Sequence, residues 1–250
     1  MAGFTPAAMR CFTIKDAIPD ALNGERIAVV GYGHLGRPFA LNLRDSGIAP
    51  LVVGNIADAY AQTAHQDGFL VMPPEQAVQS ADIVLVLLPD EVIPEVFKDR
   101  IAPNLAAGSA IVFGSGYTLA YGLIAPPPEV DVLLLAPRMA GENARQRYLD
   151  GRGFYAYISV EQDASGKAMQ RLLGLAEGVG VLRAGALELD ARKEADLDLL
   201  VEQTLGAALG AAIMNVFALG VEAGIPAEAM VFEMYMSEEM ETVWRSFRQE

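Results

Sequence analysis

Arg26-Ile-Ala-Val-Val-Gly-Tyr-Gly-His-Leu-Gly-Arg37 is the stretch that decides the fold of this chain. Its apolar run, 27–30, is typical of a buried strand. Gly31, Gly33 and Gly36 follow with the spacing G-x-G-x-x-G, and a helical pattern comes next. Glycines so spaced permit a tight turn, close approach of backbone to a pyrophosphate, and close packing of helix on strand. The succession of strand, turn and helix favours a dinucleotide-binding turn over a turn without a ligand.

A helix start offers free N–H groups and a positive dipole end to phosphates. We therefore expect the cofactor to lie against the whole loop, which consists of Gly31, Tyr32, Gly33, His34, Leu35 and Gly36. His34 lies inside this loop, so cofactor contact is a better interpretation of it than acid–base catalysis. His65, the other histidine, lies in a predicted helix and is interpreted as structural.

Strands alternate with helices after this turn, and each strand runs into a loop containing Gly or Pro. The predicted strands are 27–30, 50–54, 69–72, 81–88, 110–113, 130–135 and 154–160, the last with an alternation that suits an edge. This order predicts an α/β fold, a Rossmann-type doubly wound parallel sheet. Strand signals stop near Glu188, and a smaller all-helical C-terminal domain is predicted. The expected domains are 1–187, with a loosely structured lead-in over 1–25, and 188–250.

Ligands of such sheets bind at the carboxyl ends of the strands. Chemistry is therefore expected at 31–36, 54–58, 89–91, 114–117 and 137–141. Beyond the glycine loop, the cofactor-binding residues predicted at these ends are Asn55, Asp58, Leu88, Pro89, Ser115 and Pro137.

Composition narrows the class of protein. The chain has 250 residues, of which 52% are hydrophobic and 20% charged, as in a soluble globular protein. Its net charge of −14 argues against nucleic acid or an anionic membrane as a partner. Cys11 is the single cysteine, so no disulfide forms within the chain, and a reducing, cytoplasmic location is expected. Residues 1–10 lack the apolar core of a secretory signal.

Two long helices are predicted at 191–222 and 226–248. Residues 204–221 carry no charge and are about long enough to span a bilayer. They are rich in Ala and Gly, and Glu202 and Glu222 flank them rather than Lys or Arg. A helix buried on all sides, within a domain or an oligomer, is therefore preferred to a membrane span.

From about Met9 to Phe232 the chain resembles the ketol-acid reductoisomerases in order and spacing. The matching pieces are Ile27-Ala-Val-Val-Gly-Tyr-Gly33, Ala40-Leu-Asn-Leu-Arg-Asp-Ser-Gly47, Leu87-Leu-Pro-Asp-Glu91, Pro103-Asn-Leu105, Gly151-Arg-Gly153, Gln162-Asp-Ala-Ser-Gly166 and Glu202-Gln203. The resemblance implies use of NADPH and two Mg²⁺ ions to shift an alkyl group and then reduce an acetohydroxy acid in branched-chain amino acid biosynthesis. It also implies a Rossmann domain and a helical domain that dimerises.

Several family positions are changed here. Ser115 stands where the family has a histidine, and Arg138 stands where it has a lysine. Arginine keeps the charge but cannot donate a proton near neutral pH. The family's two metal-binding acids align with Asp198 and Glu202, whose i, i+4 spacing puts them on one helix face. Carboxylate oxygens are the ligands that Mg²⁺ prefers.

The second pair of family acids is incomplete. Glu233 is kept, but Ser237 replaces its partner, although Glu238 is adjacent. The chain stops at Glu250, short of the family's C-terminal helices, which suggests a divergent and shortened member. Metal binding by Asp198 and Glu202 therefore remains open against a solvated acidic stripe, 194–202, on a surface helix.

The loop after the second strand differs from the family pattern of Arg and Ser residues that hold the 2′-phosphate of NADPH. Residues 55–60 contain no base and include Asp58. A carboxylate there repels a phosphate and accepts hydrogen bonds from a ribose diol. The sequence therefore predicts NADH over NADPH.

Three functions stay open. The first is a reductase of a 2-keto acid or a derived imine, with alkyl migration lost. In it Arg138 holds the substrate carboxylate, and water, or Glu233 with a metal, supplies the proton. The second is a true Mg²⁺-dependent ketol-acid reductoisomerase, completed by Glu238 or an acid of a partner chain. The third is a nucleotide-sensing protein without catalysis. In each, a homodimer through the C-terminal helices is expected.

Overall fold

The computed structural model describes residues 9–139 and 141–247. The chain divides into two compact units, of which the first runs to Ala195 and the second starts at Asp196.

The first unit is built on one sheet flanked by helices. Its strands are β1 (Cys11–Phe12), β2 (Ile27–Val30), β3 (Leu51–Gly54), β4 (Leu70–Met72), β5 (Ile83–Val86), β6 (Ala110–Phe113), β7 (Asp131–Pro137), β8 (Ala156–Gln162) and β9 (Ala186–Glu188). Its helices are α1 (Gly36–Asp45), α2 (Ala59–Gln66), α3 (Pro74–Gln79), α4 (Ile93–Val96), α5 (Tyr117–Ala120), α6 (Gly141–Leu149), α7 (Ala168–Gly178) and the start of α8 (Ala191–Leu200). A π-helical turn, Phe97–Ile101, follows α4 directly.

The strand order is β1-β9-β8-β7-β6-β5-β2-β3-β4. The six strands from β4 to β7 are parallel, and in register Val30 lies between Gly54 on one side and Val86 on the other. The chain leaves β2 toward β3 and later returns to place β5 on the other side of β2. This reversal of direction opens a crevice at the carboxyl ends of β2 and β5. The predicted Rossmann-type α/β fold is confirmed.

The far side of the sheet differs from the prediction. The strand expected at 154–160 as an edge is interior, because β8 pairs antiparallel with β7 and parallel with β9. Its alternation comes from one buried face, which includes Ile158, and one half-buried face, which includes Tyr157. One edge of the sheet is instead β1, inside the supposed lead-in, which pairs with β9 far along the chain.

Two apolar clusters cover the two faces of the sheet. Ile27 and Val29 belong to one cluster, while Ala28 and Val30 belong to the other, and all four are buried. Because both faces are covered, the strand is apolar throughout rather than alternating. Burial of each larger side chain contributes about 1.5–3 kcal/mol, so this core holds the glycine loop in place.

The second unit is helical in its described part, 196–247. It contains the rest of α8, the π-helical Val201–Gly206, α9 (Ala207–Glu222), α10 (Ala227–Val231), the π-helical Phe232–Met236 and α11 (Glu239–Ser246). The long helix predicted at 191–222 is confirmed. The one predicted at 226–248 is interrupted after Ser237, because Glu238 has a left-handed φ of 57°.

The long helix, Ala191–Glu222, is the one helix of the described chain that is long and apolar enough to cross a membrane by length and composition. None of its most apolar 18-residue window is buried. The prediction that 204–221 is buried on all sides is therefore wrong within a single chain, and burial in an oligomer stays a prediction. Among the described residues of this unit, Met230 alone is buried, against Gly220.

Candidate active site

A cleft of about 760 Å³ opens in the first unit at the carboxyl ends of β2, β3, β5 and β6. Its volume lies in the range of small-molecule and cofactor sites. The walls are the glycine loop, the loop after β3, and the segment from β5 to the π-helical turn Phe97–Ile101. The cleft therefore lies at the crevice created by the reversal of strand order.

The three glycines of the loop have different reasons to be glycine. Gly31 has φ of 94°, and an added Cβ would lie 2.6 Å from the Leu87 carbonyl oxygen. A Cβ on Gly36 would lie 1.9 Å from the carbonyl oxygen of Gly31. A Cβ on Gly33 would meet no atom of the described chain within 4 Å. Gly33 thus faces open space in the cleft, where a dinucleotide pyrophosphate fits.

The N-terminus of α1 is open toward this loop. Leu35 occupies the N-cap position and provides no side-chain hydrogen bond. The Arg37 N–H donates to the Gly33 carbonyl oxygen at 3.1 Å and Pro38 has no N–H, so the amide of Gly36, the first helical residue, is the one that an anion can serve. The glycine cradle and the uncapped helix together fit the diphosphate of a nicotinamide dinucleotide.

Ten of the twelve expected cofactor residues line the cleft; they are Gly31, Tyr32, Gly33, His34, Leu35, Asn55, Asp58, Leu88, Pro89 and Ser115. The two that do not are Gly36, which packs beneath the loop, and Pro137, which ends β7. His34 is exposed, its backbone carbonyl accepts a hydrogen bond from the Gly141 amide, and its ring closes on Gly141.

Tyr32 contributes backbone rather than side chain to the cleft. Its side chain is buried, and its hydroxyl donates to Asp67 Oδ2 at 2.9 Å. Burial, followed by this carboxylate, raises the pKa of the phenol. The Arg37 guanidinium, 2.7 Å from Asp67, together with the Tyr32 hydroxyl, holds the pKa of Asp67 below its usual range. This network ties the buried side chain of the glycine loop, Tyr32, to the end of α2 at Asp67.

The loop after β3 presents Asn55 and Asp58. Asp58 is the N-cap of α2, where its Oδ1 accepts the Ala61 amide at 2.9 Å and the Asn55 side-chain amide at 2.8 Å. Arg100 is the one guanidinium or ammonium group lining the cleft in the described ranges, and its Nη1 lies 3.7 Å from a carboxylate oxygen of Glu75. Acids outnumber it; those lining the cleft are Asp58, Asp90, Glu95 and Asp99.

Ser115 lies at the other end of the cleft, after β6. Its hydroxyl donates to Asp90 Oδ2 at 3.2 Å and accepts the Tyr117 amide at 3.2 Å. The serine therefore ties the loop after β6 to the loop after β5. It is a small polar group that is already hydrogen-bonded on both sides.

Glu194 is a site residue that the sequence did not reveal. Its side chain is 1% exposed, accepts the Gly116 amide at 2.8 Å, and pairs with Arg138 Nη2 at 2.5 Å. The Arg138 guanidinium also lies 5.0 Å from the Tyr157 ring centre. One carboxylate thus joins α8 to the loops after β6 and β7, directly beside Ser115.

The comparisons with known proteins identify the family. Residues 21–185 match the family model described as acetohydroxy acid isomeroreductase, NADPH-binding domain. The chain belongs to the ketol-acid reductoisomerase family. It is 38% identical over 239 residues to the ketol-acid reductoisomerase (NADP(+)) of Pyrobaculum aerophilum, covering 94% of this chain and 73% of the relative. For the enzyme of Pyrobaculum calidifontis the identity is 40% over 233 residues, with coverages of 92% and 71%.

A solved structure agrees with the sequence relatives. It is that of an NADH-preferring ketol-acid reductoisomerase from an uncultured archaeon, with a TM-score of 0.90 and 35% identity. The match covers 95% of this chain and 74% of that one. The expected family is confirmed, and this ketol-acid reductoisomerase-like protein is an NAD(P)H-dependent oxidoreductase. The alternative of a nucleotide sensor without catalysis is set aside.

The acids expected from the sequence to hold a metal lie in the second unit. Asp198 on α8 is half-buried, while Glu202 and Glu233, each in a π-helical segment, are exposed. Ser237 donates its hydroxyl to the Glu233 backbone carbonyl at 2.7 Å. No group of three or more His, Cys, Asp and Glu side chains in 9–139 and 141–247 is placed to hold a metal. The described residues of a single chain therefore do not form the Mg²⁺ site that the family implies.

Glu194 also corrects the interpretation of the acidic stripe 194–202 as a solvated helix face. The signal for its burial was present, since Ala191, Glu194 and Ala195 recur at i, i+3 and i+4 and all three are buried. Two small apolar neighbours at that spacing mark a buried face, and an acid there requires a partner.

Proposed function

We propose that this protein is an NADH-preferring reductase that reduces a small 2-keto acid, or an imine derived from one, without alkyl migration. The proposal rests on a difference between the cleft of the first unit and the acids of the second. The cleft that we assign to the dinucleotide lies within the first unit, whereas the acids of the second unit form no ligand group of three within the described chain. Hydride transfer needs the first and does not depend on the second.

Asp58 supports the preference for NADH. A carboxylate at the end of β3 accepts hydrogen bonds from a ribose diol and repels a 2′-phosphate. The acids that line the cleft add to this repulsion, and Arg100 alone opposes it. The structural relative at 35% identity is NADH-preferring, although the Pyrobaculum relatives are named for NADP(+).

Ser115 and Arg138 support the loss of alkyl migration. Neither side chain transfers protons near neutral pH as a histidine or a lysine can. Arg138 retains 29% exposure beside Glu194, and a guanidinium with five donors suits a substrate carboxylate. In our proposal Glu194 fixes the guanidinium and Arg138 orients the keto acid. The bound dinucleotide supplies the hydride.

The proton for the new hydroxyl or amine comes from water in this proposal. Glu233 was expected to supply it together with a metal, but no metal-ligand group of described residues surrounds it. We therefore give Glu233 no role in the reduction. The catalytic assignment rests on Arg138, with Ser115 bordering the nicotinamide.

We further propose a homodimer in the cytoplasm, without nucleic acid or membrane partners. The outward surface of α9 supports the dimer, since its exposed side chains include Met214, Val216 and Leu219. Apolar surface of this extent in a soluble protein marks an interaction site. The net charge of −14 supports the exclusion of nucleic acid, and the absence of Lys and Arg at the ends of 204–221 supports the exclusion of a membrane partner.

A second candidate is a Mg²⁺-dependent ketol-acid reductoisomerase whose metal site needs two chains. Retention of Asp198 and Glu202 one helical turn apart favours it, as does an exposed apolar helix that a second copy can cover. In that case acids from the partner chain would add to these two.

One assay separates the candidates. NADH oxidation is followed with plain 2-keto acids, with cyclic imines and with 2-acetolactate, each in EDTA and in Mg²⁺, and the products are identified. Our proposal expects turnover of a plain keto acid or imine at the same rate in both buffers. Turnover confined to 2-acetolactate and to the Mg²⁺ buffer, with a rearranged carbon skeleton in the product, would replace it by the second candidate.

A further inference from the structure

We infer that Asn55 is a positioning residue for cofactor selectivity, which turns one oxygen of Asp58 toward the ribose of the dinucleotide. The inference rests on the proposed preference for NADH and concerns the same cleft. It assigns the discrimination between NADH and NADPH to a coupled pair of side chains rather than to Asp58 alone.

The hydrogen bonds of the Asn55 carboxamide leave it one orientation. Its Oδ1 accepts the Tyr32 amide at 3.1 Å, while its Nδ2 donates to Ile56 O at 2.9 Å and to Asp58 Oδ1 at 2.8 Å. The Tyr32 group is a donor and the other two are acceptors, so a flipped amide would lose all three bonds. The Asn55 backbone is fixed as well, because its N–H donates to Met72 O at 3.0 Å.

Asp58 is held through one oxygen only. The Ala61 amide and the Asn55 side chain both donate to Oδ1, and in the described part of the chain Oδ2 accepts no hydrogen bond. Two donors on one oxygen fix the plane of the carboxylate and leave the other oxygen on the half-exposed side of the residue, in the cleft lining. Oδ2 is thus the acceptor offered to a ribose diol.

The same carboxamide connects the two cofactor loops. Tyr32 and Asp58 both line the cleft, and we assign the pyrophosphate to the glycine loop around Tyr32 and the ribose to Asp58. Asn55 bridges them beside the backbone hydrogen bond from Gly31 N–H to Gly54 O, and it is the side chain that couples the glycine loop to the Asp58 carboxylate. A shorter residue at position 55 would leave the glycine loop in place and release Asp58 to rotate about its N-cap bond.

A double-mutant cycle tests the inference on the full-length chain. Dissociation constants for NADH and NADPH are measured for wild type, Asn55→Ala, Asp58→Asn and the double variant. Asparagine is as good an N-cap as aspartate, so Asp58→Asn preserves α2 and replaces only the ribose-facing oxygen by an amide donor. Each single variant should lower the preference for NADH about tenfold. The double variant should lower it no further than Asp58→Asn does.

Several outcomes are distinguishable. If the two single effects on the NADH:NADPH ratio multiply in the double variant, Asn55 acts independently of Asp58 and the inference is wrong, while the proposed function stands. If Asp58→Asn leaves the ratio unchanged, the proposed cofactor preference itself fails, and the inference with it. Asn55→Ser serves if the alanine variant does not fold. Asn215→Ala, an exposed asparagine of the second unit, should change neither constant.

Discussion

The two units of this chain differ in how much of their own surface they bury. The first closes apolar clusters over both faces of its sheet and pairs its buried charges, as in Arg171 with Asp131. In the described part of the second unit, Met230 alone is buried, and no residue in the most apolar 18-residue stretch of the long helix is buried. The first unit therefore contains the candidate cofactor cleft, whereas the second exposes an apolar surface that we propose a second copy covers.

This difference indicates how function is divided along the chain. The residues that we assign to the cofactor all lie in the first unit, where packed apolar clusters support the sheet. The acids that a metal would require lie on helices whose own packing is incomplete. This division is the basis for our proposal that reduction is retained and alkyl migration is lost.

The largest effect is expected from Gly33→Val. The added side chain enters open space, so the fold is kept, but it occupies the place of the pyrophosphate. NADH affinity should fall more than about a hundredfold, measured by calorimetric titration, while the melting temperature stays at the wild-type value. Retained binding would show that the cleft of the first unit is not the cofactor site.

The exposed helix provides the next test. Leu219→Glu on α9, where the leucine is 64% exposed, should convert a dimer to a monomer in light scattering, because a charge in an apolar interface is not tolerated. Leu70→Glu is the matched control, since this leucine is 62% exposed on β4 of the first unit. A wild-type protein that is already monomeric at micromolar concentration would contradict the proposal that the exposed apolar surface of the second unit is a dimer interface.

Gly36→Ala tests packing rather than binding. Its Cβ would overlap the Gly31 carbonyl oxygen, and such overpacking costs about 3 kcal/mol. The melting temperature should fall by about 6–12 °C. Gly33→Ala, in the same loop but facing open space, should melt as wild type. Equal melting of both variants would contradict the assignment of different roles to the two glycines.

Glu194→Gln keeps the shape of the buried side chain and removes its charge. We expect a stability loss of about 2 kcal/mol, because a neutral amide replaces the carboxylate in the buried ion pair with Arg138. The KM for the keto acid should rise about tenfold as the guanidinium loses its fixed position. The matched control is Glu142→Gln, an acid whose side chain is 76% exposed. Unchanged kinetics in Glu194→Gln would leave Arg138 without a role in substrate binding.

The smallest effect is expected on the stability of the protein at low pH, through the Asp67 carboxyl group. Arg37, and then the Tyr32 hydroxyl, lower the pKa of Asp67 below its unfolded value. The stability it contributes is therefore present above the unfolded pKa and is lost as the pH falls through the folded pKa. Melting curves from about pH 6 to pH 3 should show wild type losing its advantage over Asp67→Asn, by about 1 kcal/mol. A constant difference across this range would exclude the linkage.

Local sequence was sufficient for the parts of the fold whose contacts are local. The G-x-G-x-x-G turn, the apolar β2 and the helical C-terminal region all follow from short patterns, and the structure agrees with them. Strand β1 could not be predicted, since two residues pair with a strand about 175 positions later. The antiparallel insertion of β8 is likewise a property of topology rather than of pattern.

The site divides in the same way. The loop residues that line the cleft follow from position at strand ends, whereas the Glu194–Arg138 pair joins residues 56 positions apart. Glu194 lies three residues after the buried Ala191 and directly before the buried Ala195, a spacing that indicates a buried helix face. The regular spacing of the acids in 194–202 favoured a solvated face instead. The bridging role of Asn55 was not visible either, because it depends on the orientation of one amide among donors and acceptors from two loops.

The most direct test of the account is titration calorimetry of the full-length protein with NADH, and separately with NADPH, in a buffer containing EDTA. We predict that one NADH binds per chain without any metal ion, and that it binds more tightly than NADPH. Failure of both dinucleotides to bind, or binding that appears only after Mg²⁺ is added, would contradict the claim that the first unit holds a complete cofactor site.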